Sequence, residues 1–437
     1  MNKRRRVAGV TTAAASLIAA LLVPAEMRLP TALIVGCLGL WLSELLPPFA
    51  PTLVLLALAP MVLSGTTIPA AQRAVFAWAA DPVLALFFGG FVMGAAATRH
   101  GVDERIARWV IRRSAGDARR LTLLLMAGTA ALTMWMSNVA APAMMLAAAR
   151  PLLARLESDG LPRRRLLVAI AMAANVAGMS TPLSAGPNGI AIAAVQSQVR
   201  VTFAGWMTFA LPLVVGLLAL AYLLVRPPRG TISLGAEEAA TPLSREAKSF
   251  IAIVAATIIL WLTEPLHGVP AAVISLALAA LLFSLRLAHG SDLRRLDWST
   301  LFLIAGGILV GRLTEHAGLL ALVTSGIDPA SMSPLVARLI LCGAAAFIAA
   351  LMSNTATSAL LIPVALQIDP APSTAILVAV ATSLGAPFVI STPANAMMAG
   401  EGARSRDLLG PGAVLMVVGV VTLAVTGPTV LALWGIR

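Results

Sequence analysis

Residues 335–363 form an apolar run interrupted near its middle by Met352-Ser353-Asn354-Thr355-Ala356-Thr357. Hydrocarbon offers no hydrogen bonds to hydroxyl and amide groups, so this cluster must face protein, a water-filled cavity or a ligand. An earlier apolar run, 121–153, carries a second copy, Met136-Ser137-Asn138-Val139-Ala140. One polar pair in a membrane segment is commonly glue between helices. Two, at matching places in two halves of a chain, point to one binding site built from both halves.

Composition sets the class. The 437 residues are 59% hydrophobic and 11% charged, which no soluble domain of this size matches. The apolar segments do not alternate as barrel strands do, so the expectation is an all-α polytopic membrane protein. The net charge of +12 raises the question of nucleic acid, but the Arg residues cluster in particular loops, as the positive-inside rule requires. Cys37 and Cys342 lie in apolar segments, and His100, His267, His289 and His316 are scattered without ligand spacing, so neither a disulfide nor a metal cluster is expected.

Read in order, Lys3-Arg4-Arg5-Arg6 and the run 7–24 suggest a first transmembrane helix with its N-terminus inside; the run is long for a signal peptide, and Val23-Pro24-Ala25 is a poor cleavage site. Spans follow at about 30–47, 52–64 and 82–98. Residues 102–120 interleave Arg105, Arg108, Arg112 and Arg113 with Ile106, Trp109, Val110 and Ile111, the pattern of a helix lying in the interface, with a basic loop as the alternative. Residues 121–153 exceed the roughly 20 residues one crossing needs and read as a re-entrant hairpin tipped by Ser137-Asn138. Residues 166–199 read as a helix broken by Gly178–Asn188, with Pro182, Gly186 and Pro187 unable to continue it. A span at 206–225 and a polar linker, 226–248, close the first half. The second half gives spans at 250–264, 269–287 and 300–314, an interfacial stretch at 319–333, a hairpin at 335–363, a helix broken at Ser391–Asn395, and a last span at 411–433.

An internal repeat organises these pieces. Trp41-Leu-Ser-Glu44 recurs as Trp261-Leu-Thr-Glu264 at an offset of 220. Gly89, Gly90, Gly94 and Gly101 recur as Gly306, Gly307, Gly311 and Gly318 at 217, Ser137-Asn138 as Ser353-Asn354 at 216, and Asn188 as Asn395 at 207. Each repeat then holds five spans and a hairpin, and an odd number of crossings inserts the second copy upside down. The expected plan is about 11 transmembrane helices: an N-terminal helix (1–29), a first inverted repeat (30–225), a cytoplasmic linker (226–249) and a second inverted repeat (250–437), each repeat with one hairpin and one broken helix. With the N-terminus inside, loops 3–6, 105–120, 150–165, 226–248, 286–295 and 404–406 face the cytoplasm and hold 24 of the 31 Lys and Arg residues.

With these motifs the chain resembles the divalent anion:sodium symporter family, dicarboxylate carriers of the ion transporter superfamily. The resemblance rests on Trp41-x-x-Glu44-x-x-Pro47, Gly89-Gly90, Ser137-Asn138, Gly178-x-x-Thr181-Pro182 with Pro187-Asn188, Trp261-x-x-Glu264-Pro265, Asp297-Trp298, Ser353-Asn354-Thr355 and Ser391-Thr392-Pro393-Ala394-Asn395. It implies a homodimer in the cell inner (plasma) membrane, elevator-like movement, and a small dianionic substrate such as succinate carried with sodium. For the substrate it implies Ser137, Asn138, Ser353, Asn354, Thr355, Thr392 and Pro393. For sodium it implies Thr133, Ser137, Asn138 and the Ser184 carbonyl region at one site, and Asn354 and the Ser391 carbonyl region at the other. Half-helix N-termini suit a carboxylate and unwound carbonyls suit a cation. The chain departs from the family at Val139, Ala185 and Ala349, each lacking a hydroxyl. These losses bear on specificity and on sodium coupling at the second site.

Other readings are weighed on the same residues. Glu44 and Glu264, beside Pro at span ends, suit a structural or interfacial role better than proton carriage. Arg312 and Glu315 are spaced to pair on one helix face. The Gly pairs lack the Lys-Ser/Thr of a phosphate loop and suit tight helix packing. An enzyme would need a nucleophile–base pair or metal ligands at membrane depth, and no His or Asp adjoins either Ser-Asn tip. A sodium-independent exchanger, a proton-coupled or oxyanion efflux carrier, and a channel remain rivals.

Overall fold

A computed structural model describes residues 3–43, 45–47, 49–63, 67–157, 160–232, 242–319 and 332–436. Its described helices are α1 (Lys3–Leu21), α2 (Arg28–Ser43), α3 (Ala50–Val62), α4 (Ile68–Ala79), α5 (Pro82–Arg99), α6 (Val102–Arg113), α7 (Ala118–Trp135), α8 (Ala140–Leu153), α9 (Leu161–Ala177), α10 (Gly186–Val195) and α11 (Phe203–Val225). The second half gives α12 (Arg245–Leu262), α13 (Ala271–Ser284), α14 (Trp298–His316), α15 (Pro334–Leu351), α16 (Asn354–Ile368), α17 (Pro372–Thr382), α18 (Pro393–Gly400) and α19 (Ser405–Leu433), with shorter turns of helix between some of them. The fold is all-helical among the described residues, as the composition required.

Local chemistry fixes where the long helices begin. Asp81 caps α5 by accepting from the Val83 N–H (2.9 Å), with Pro82 in the first turn. Asp117 caps α7 through the Arg120 N–H (2.7 Å), and Asp297 caps α14 through the Thr300 N–H (3.0 Å). Each carboxylate satisfies a backbone donor that the helix itself leaves unpaired.

Both hairpins appear where the sequence placed them and both expected helices are broken, but the second break begins earlier than Ser391–Asn395, and Gly186–Asn188 and Pro393–Asn395 already open the helices that follow the breaks. The pairs α7–α8 and α15–α16 turn at Ser137-Asn138 and Ser353, and α9–α10 and α17–α18 are separated by the breaks at 178–185 and 383–392. Several expectations change. Among the described residues four helices, α5, α11, α15 and α19, are each long and apolar enough to cross a membrane alone, and the other expected crossings fall on shorter or divided apolar helices. The polar pairs and breaks divide four of the apolar runs into half-helices, and α2, α3 and α13 are short. The sequence reading had no helix at α4, which packs against α3 and α14 and buries Ala71 and Val75. The interfacial helix ends at Arg113, and Ala118–Arg120 already belong to the hairpin. Residues 320–331, most of the second interfacial stretch, and Glu44 lie outside the described residues. The linker's start is pinned to the turn after α6, with the Ile232 N–H donating to the Gly116 carbonyl (2.7 Å) and the Ala118 N–H to the Gly230 carbonyl (3.0 Å).

The halves interlock. α9 packs on α18, α10 on α17 and α16, α5 on α13, and α14 on α3. Adjacent glycines explain how α5 and α14 serve two neighbours each. A methyl group on Gly89 would strike the Ser275 backbone of α13, and one on Gly306 would strike the Thr52 hydroxyl of α3. The next residues face the other way: Gly90 lies against Leu183 of the first break, and Gly307 against Ile190 of α10 and Ala359 of α16.

Candidate functional site

The first tip is docked onto the first break. Ser137 is buried and caps α8, its Oγ accepting from the Ala140 N–H (3.1 Å) and, more weakly, the Val139 N–H (3.4 Å). The Asn138 N–H donates to the Ser184 carbonyl (3.1 Å), and the Asn138 side chain lies against Gly178. Thr181 donates its hydroxyl to the Met134 carbonyl at the end of α7 (2.7 Å). Ser184 is spent within the break: its hydroxyl accepts from the Thr181 N–H (3.2 Å) and donates toward the Gly178 carbonyl (2.8 Å). Its carbonyl, which takes the Asn138 N–H, keeps a second lone pair. Thr133 is buried one turn down α7 and donates to the Thr129 carbonyl (2.8 Å), leaving its lone pairs free to accept.

The second tip repeats this plan with different atoms. The Ser391 hydroxyl donates to the Ala350 carbonyl (2.7 Å) and accepts from the Phe388 N–H (3.1 Å). Ala350 is the mate of Met134 at the offset of 216, so equivalent carbonyls at the two hairpin ends are each closed by a hydroxyl from the adjoining break. Ser353 is exposed and its side chain makes no cap, so the first N–H groups of α16 are not claimed by it. Asn354 is half-buried, and its Oδ1 is buried without a donor among the described residues. Thr392 caps α18 through the Asn395 N–H (3.2 Å), and Pro393 stands exposed in that helix's first turn.

The substitutions noted in the sequence leave visible traces. Ala185, the mate of Thr392, begins α10 with the same extended backbone but no side-chain cap. The second tip comes to that bare end: a Cβ built on Gly186 would meet Thr355 Oγ1 at 2.6 Å. Thr355 thus joins a residue of one hairpin to the break of the other half. Ala349, the mate of Thr133, is fully buried, with its backbone carbon 2.9 Å from a Cβ built on Gly385.

The expected residues fall into two tip-and-break units that meet through Thr355–Gly186 and through packing of α8 on α18. The sequence reading named Thr181 in a motif without giving it a role, and missed Asn175, Ser358 and Thr382. It noted Asn188 and Asn395 in the motifs without giving them a role. Each Asn side chain donates to two carbonyls of its own break: Asn188 to Gly178 (2.9 Å) and Thr181 (2.8 Å), Asn395 to Ala386 (3.0 Å) and Phe388 (2.7 Å). Asn188 Oδ1, like Asn354 Oδ1, is buried with no donor among the described residues. An acceptor oxygen in that state is costly unless a donor or a cation reaches it, and oxygens of this type suit sodium.

A cleft of about 280 Å³ leads to the first tip, lined by Gly90, Gly94, Met136, Ser137, Ala140 and Arg295 among others. The loop at its mouth is held by Arg99, whose Nε and Nη2 each lie 2.8 Å from a carboxylate oxygen of Asp292. That contact holds the Asp292 carboxyl below the usual range. A second cleft, about 210 Å³, lies against Gly307, Gly311, Arg312 and Glu315, positions equivalent to Gly90, Gly94, Ala95 and Thr98 of the first. Arg312 and Glu315 pair there at 3.5 Å, as their spacing suggested. Glu264 is structural: buried, it accepts from Arg200 (2.9 Å) and from the Phe203 N–H (3.3 Å) at the start of α11. Just before the first tip, Trp135 stacks with Phe203 and Trp261 in nearly parallel planes.

Two hairpins facing two broken helices, in an all-helical apolar chain, define a multi-pass membrane transporter rather than an enzyme. Residues 38–381 match the citrate transporter (CitMHS) family, and the chain belongs to it. An uncharacterized transporter of Haemophilus influenzae is 27% identical over 89% of this chain and 88% of its own. The sodium-dependent dicarboxylate transporter SdcS of Staphylococcus saprophyticus is 24% identical over 83% and 78%. The inorganic phosphate transporter PHO87 of Saccharomyces cerevisiae is 26% identical over 70% of this chain, which spans about a third (34%) of its length. Among solved structures, the Alcanivorax borkumensis YdaH transporter superposes with a TM-score of 0.56, covering 93% of this chain and 98% of that one at 17% identity, a likeness of fold. The protein is thus a secondary transporter of small anions.

Proposed function

We propose that the protein carries small divalent organic anions, C4-dicarboxylates such as succinate, together with sodium, by elevator-type alternating access. In this reading it is a homodimer in the cell inner (plasma) membrane with a cytoplasmic N-terminus, built of inverted repeats at 30–225 and 250–437. The observation that carries the proposal is the pairing of opposite chemistries at each tip. The α16 and α10 N-termini lack side-chain caps and offer N–H groups to a carboxylate, while Asn354 Oδ1 and Asn188 Oδ1 are buried acceptors suited to a cation. A dianion is then neutralised by co-bound sodium, with no Arg within either tip segment, 136–140 or 352–357, to hold it against release. Ser137, Asn138, Ser353, Asn354, Thr355, Thr392 and Pro393 serve the anion. Thr133, Ser137, Asn138, the Ser184 carbonyl, Asn354 and the Ser391 carbonyl serve sodium.

A second reading is a sodium-independent exchanger, or a proton-coupled or oxyanion carrier. It is favoured by Val139, Ala185 and Ala349, which remove three hydroxyls, and by the phosphate transporter among the relatives. Uptake of labelled succinate, citrate and phosphate into proteoliposomes separates the two. An inward sodium gradient drives succinate uptake in the main reading, and Asn354→Ala abolishes it. Uptake that needs internal anion but not sodium establishes the exchanger.

A further inference from the structure

Asn175 sits in α9 within the apolar run 166–177, only 3% exposed. Its amide group donates to Asn395 Oδ1 at 2.9 Å, joining the two broken helices across 220 residues. Asn395 in turn spends both of its amide hydrogens on the Ala386 and Phe388 carbonyls of the second break. The Asn395 amide can lie two ways round, differing by a half-turn. Reversed, its oxygen would face two carbonyl oxygens and its nitrogen would face the Asn175 amide hydrogens. The two carbonyls set the observed orientation, and the donor from Asn175 meets the oxygen end, leaving Asn175 Oδ1 buried without a donor among the described residues.

The other half lacks this arrangement. The mate of Asn175 at the offset of 207 is Thr382, whose hydroxyl is directed to the Ala379 carbonyl (2.7 Å) and to Ser358 (3.2 Å). Asn188, the mate of Asn395, accordingly has no donor on its Oδ1 among the described residues. The bond is therefore a dedicated feature of the second break and not a by-product of the repeat.

We propose that Asn175 is a positioning residue of the transport site. By holding the oxygen end of the Asn395 amide, it steadies the side chain that gathers the Ala386 and Phe388 carbonyls and, with them, the start of α18, where Thr392 and Pro393 stand. The consequence for transport rests on the function proposed above; the geometric claim does not.

The test uses the full chain with Asn175→Leu, close in size but without a donor, and Asn175→Asp, whose neutral acid can donate in place of the amide. Hydrogen–deuterium exchange of peptides covering 384–396 and 178–190 is followed at pH 5.5 and pH 8, each variant against wild type at the same pH. Anion KM and Vmax are measured in proteoliposomes in parallel. Asn175→Leu should speed exchange across 384–396 roughly ten-fold, with 178–190 little changed, and raise KM by a similar factor while Vmax is largely kept. Asn175→Asp should lie nearer wild type at pH 5.5 than at pH 8, because only the neutral acid can donate to Asn395 Oδ1. Equal acceleration in both peptides, or Asn175→Asp as impaired as Asn175→Leu at pH 5.5, overturns the proposal. If Asn175→Leu does not fold, the Asn175→Asp comparison decides alone. A wild type that moves none of the tested anions would overturn the transport reading, and the exchange data would still decide the role of Asn175.

Discussion

Thr181 offers a direct measure of how firmly the first hairpin is held. Its buried hydroxyl donates to the Met134 carbonyl at 2.7 Å, closing one of the last carbonyls of α7, which the helix cannot satisfy itself. Thr181→Val keeps the shape and removes the donor. Leaving a buried acceptor unpaired costs about 1–3 kcal/mol. At about 1.4 kcal/mol per factor of ten, the open population of the tip should rise roughly 5- to 150-fold. The result should lie toward the lower end, because the Asn138–Ser184 backbone bond and the Trp135 stack remain. Chymotryptic cleavage after Trp135, in detergent at neutral pH and read by mass, follows that population when reclosing outpaces cutting. Thr181→Ser, which retains the donor, should cleave close to the wild-type rate. If Thr181→Val also cleaves within two-fold of wild type, the hydroxyl does not hold the tip and the reasoning fails.

Gly385→Ala places a methyl group against the Ala346 carbonyl and 2.7 Å from the Ala350 nitrogen, both backbone, so it should destabilise by about 1–3 kcal/mol. Gly343→Ala on α15 meets nothing within 4 Å and is the thermal-melt control. Ala185→Thr supplies the cap that α10 lacks and should raise the melting temperature, with up to about 1 kcal/mol available, less whatever Thr355 must give up in room. Because Arg99 holds the Asp292 carboxyl below its usual range, the pair's contribution is present above about pH 4 and is lost as pH falls through the depressed value. Melts from pH 6 to pH 3 should show that loss in wild type, and Asp292→Asn should lack it.

The sequence announced the tips and breaks because a Ser-Asn pair or a Pro-x-Asn motif in an apolar run has few structural explanations. It was silent where a polar residue stands alone. Asn175 is a single amide in Leu166–Ala177, and nothing in its neighbours names Asn395 as its partner. Thr181 and Ser391 illustrate a second limit: equivalent carbonyls are closed by residues that are not equivalent, so the repeat offset points to the wrong donor. The helix α4 escaped because Gln72 and Arg73 interrupt its apolar run, while the turns buried at Ala71 and Val75 are set by packing on α3 and α14. The glycine pairs were legible as packing residues. That the two members face opposite neighbours follows from the roughly 100° between successive helical residues and needed the neighbours' positions.

The bond from Asn175 to Asn395 also constrains how the chain is made. Its two ends are 220 residues apart. At ~5–20 residues per second, Asn175 emerges roughly 10–45 s before its acceptor exists. During that interval its amide, together with the bare end of α10 that awaits Thr355, faces lipid or the insertion machinery with polar groups unmet, a state hydrocarbon strongly disfavours. The first half is therefore not a unit that completes itself and waits. It must be sheltered until the second half arrives, and separately expressed halves should depend on being present together to persist in the membrane.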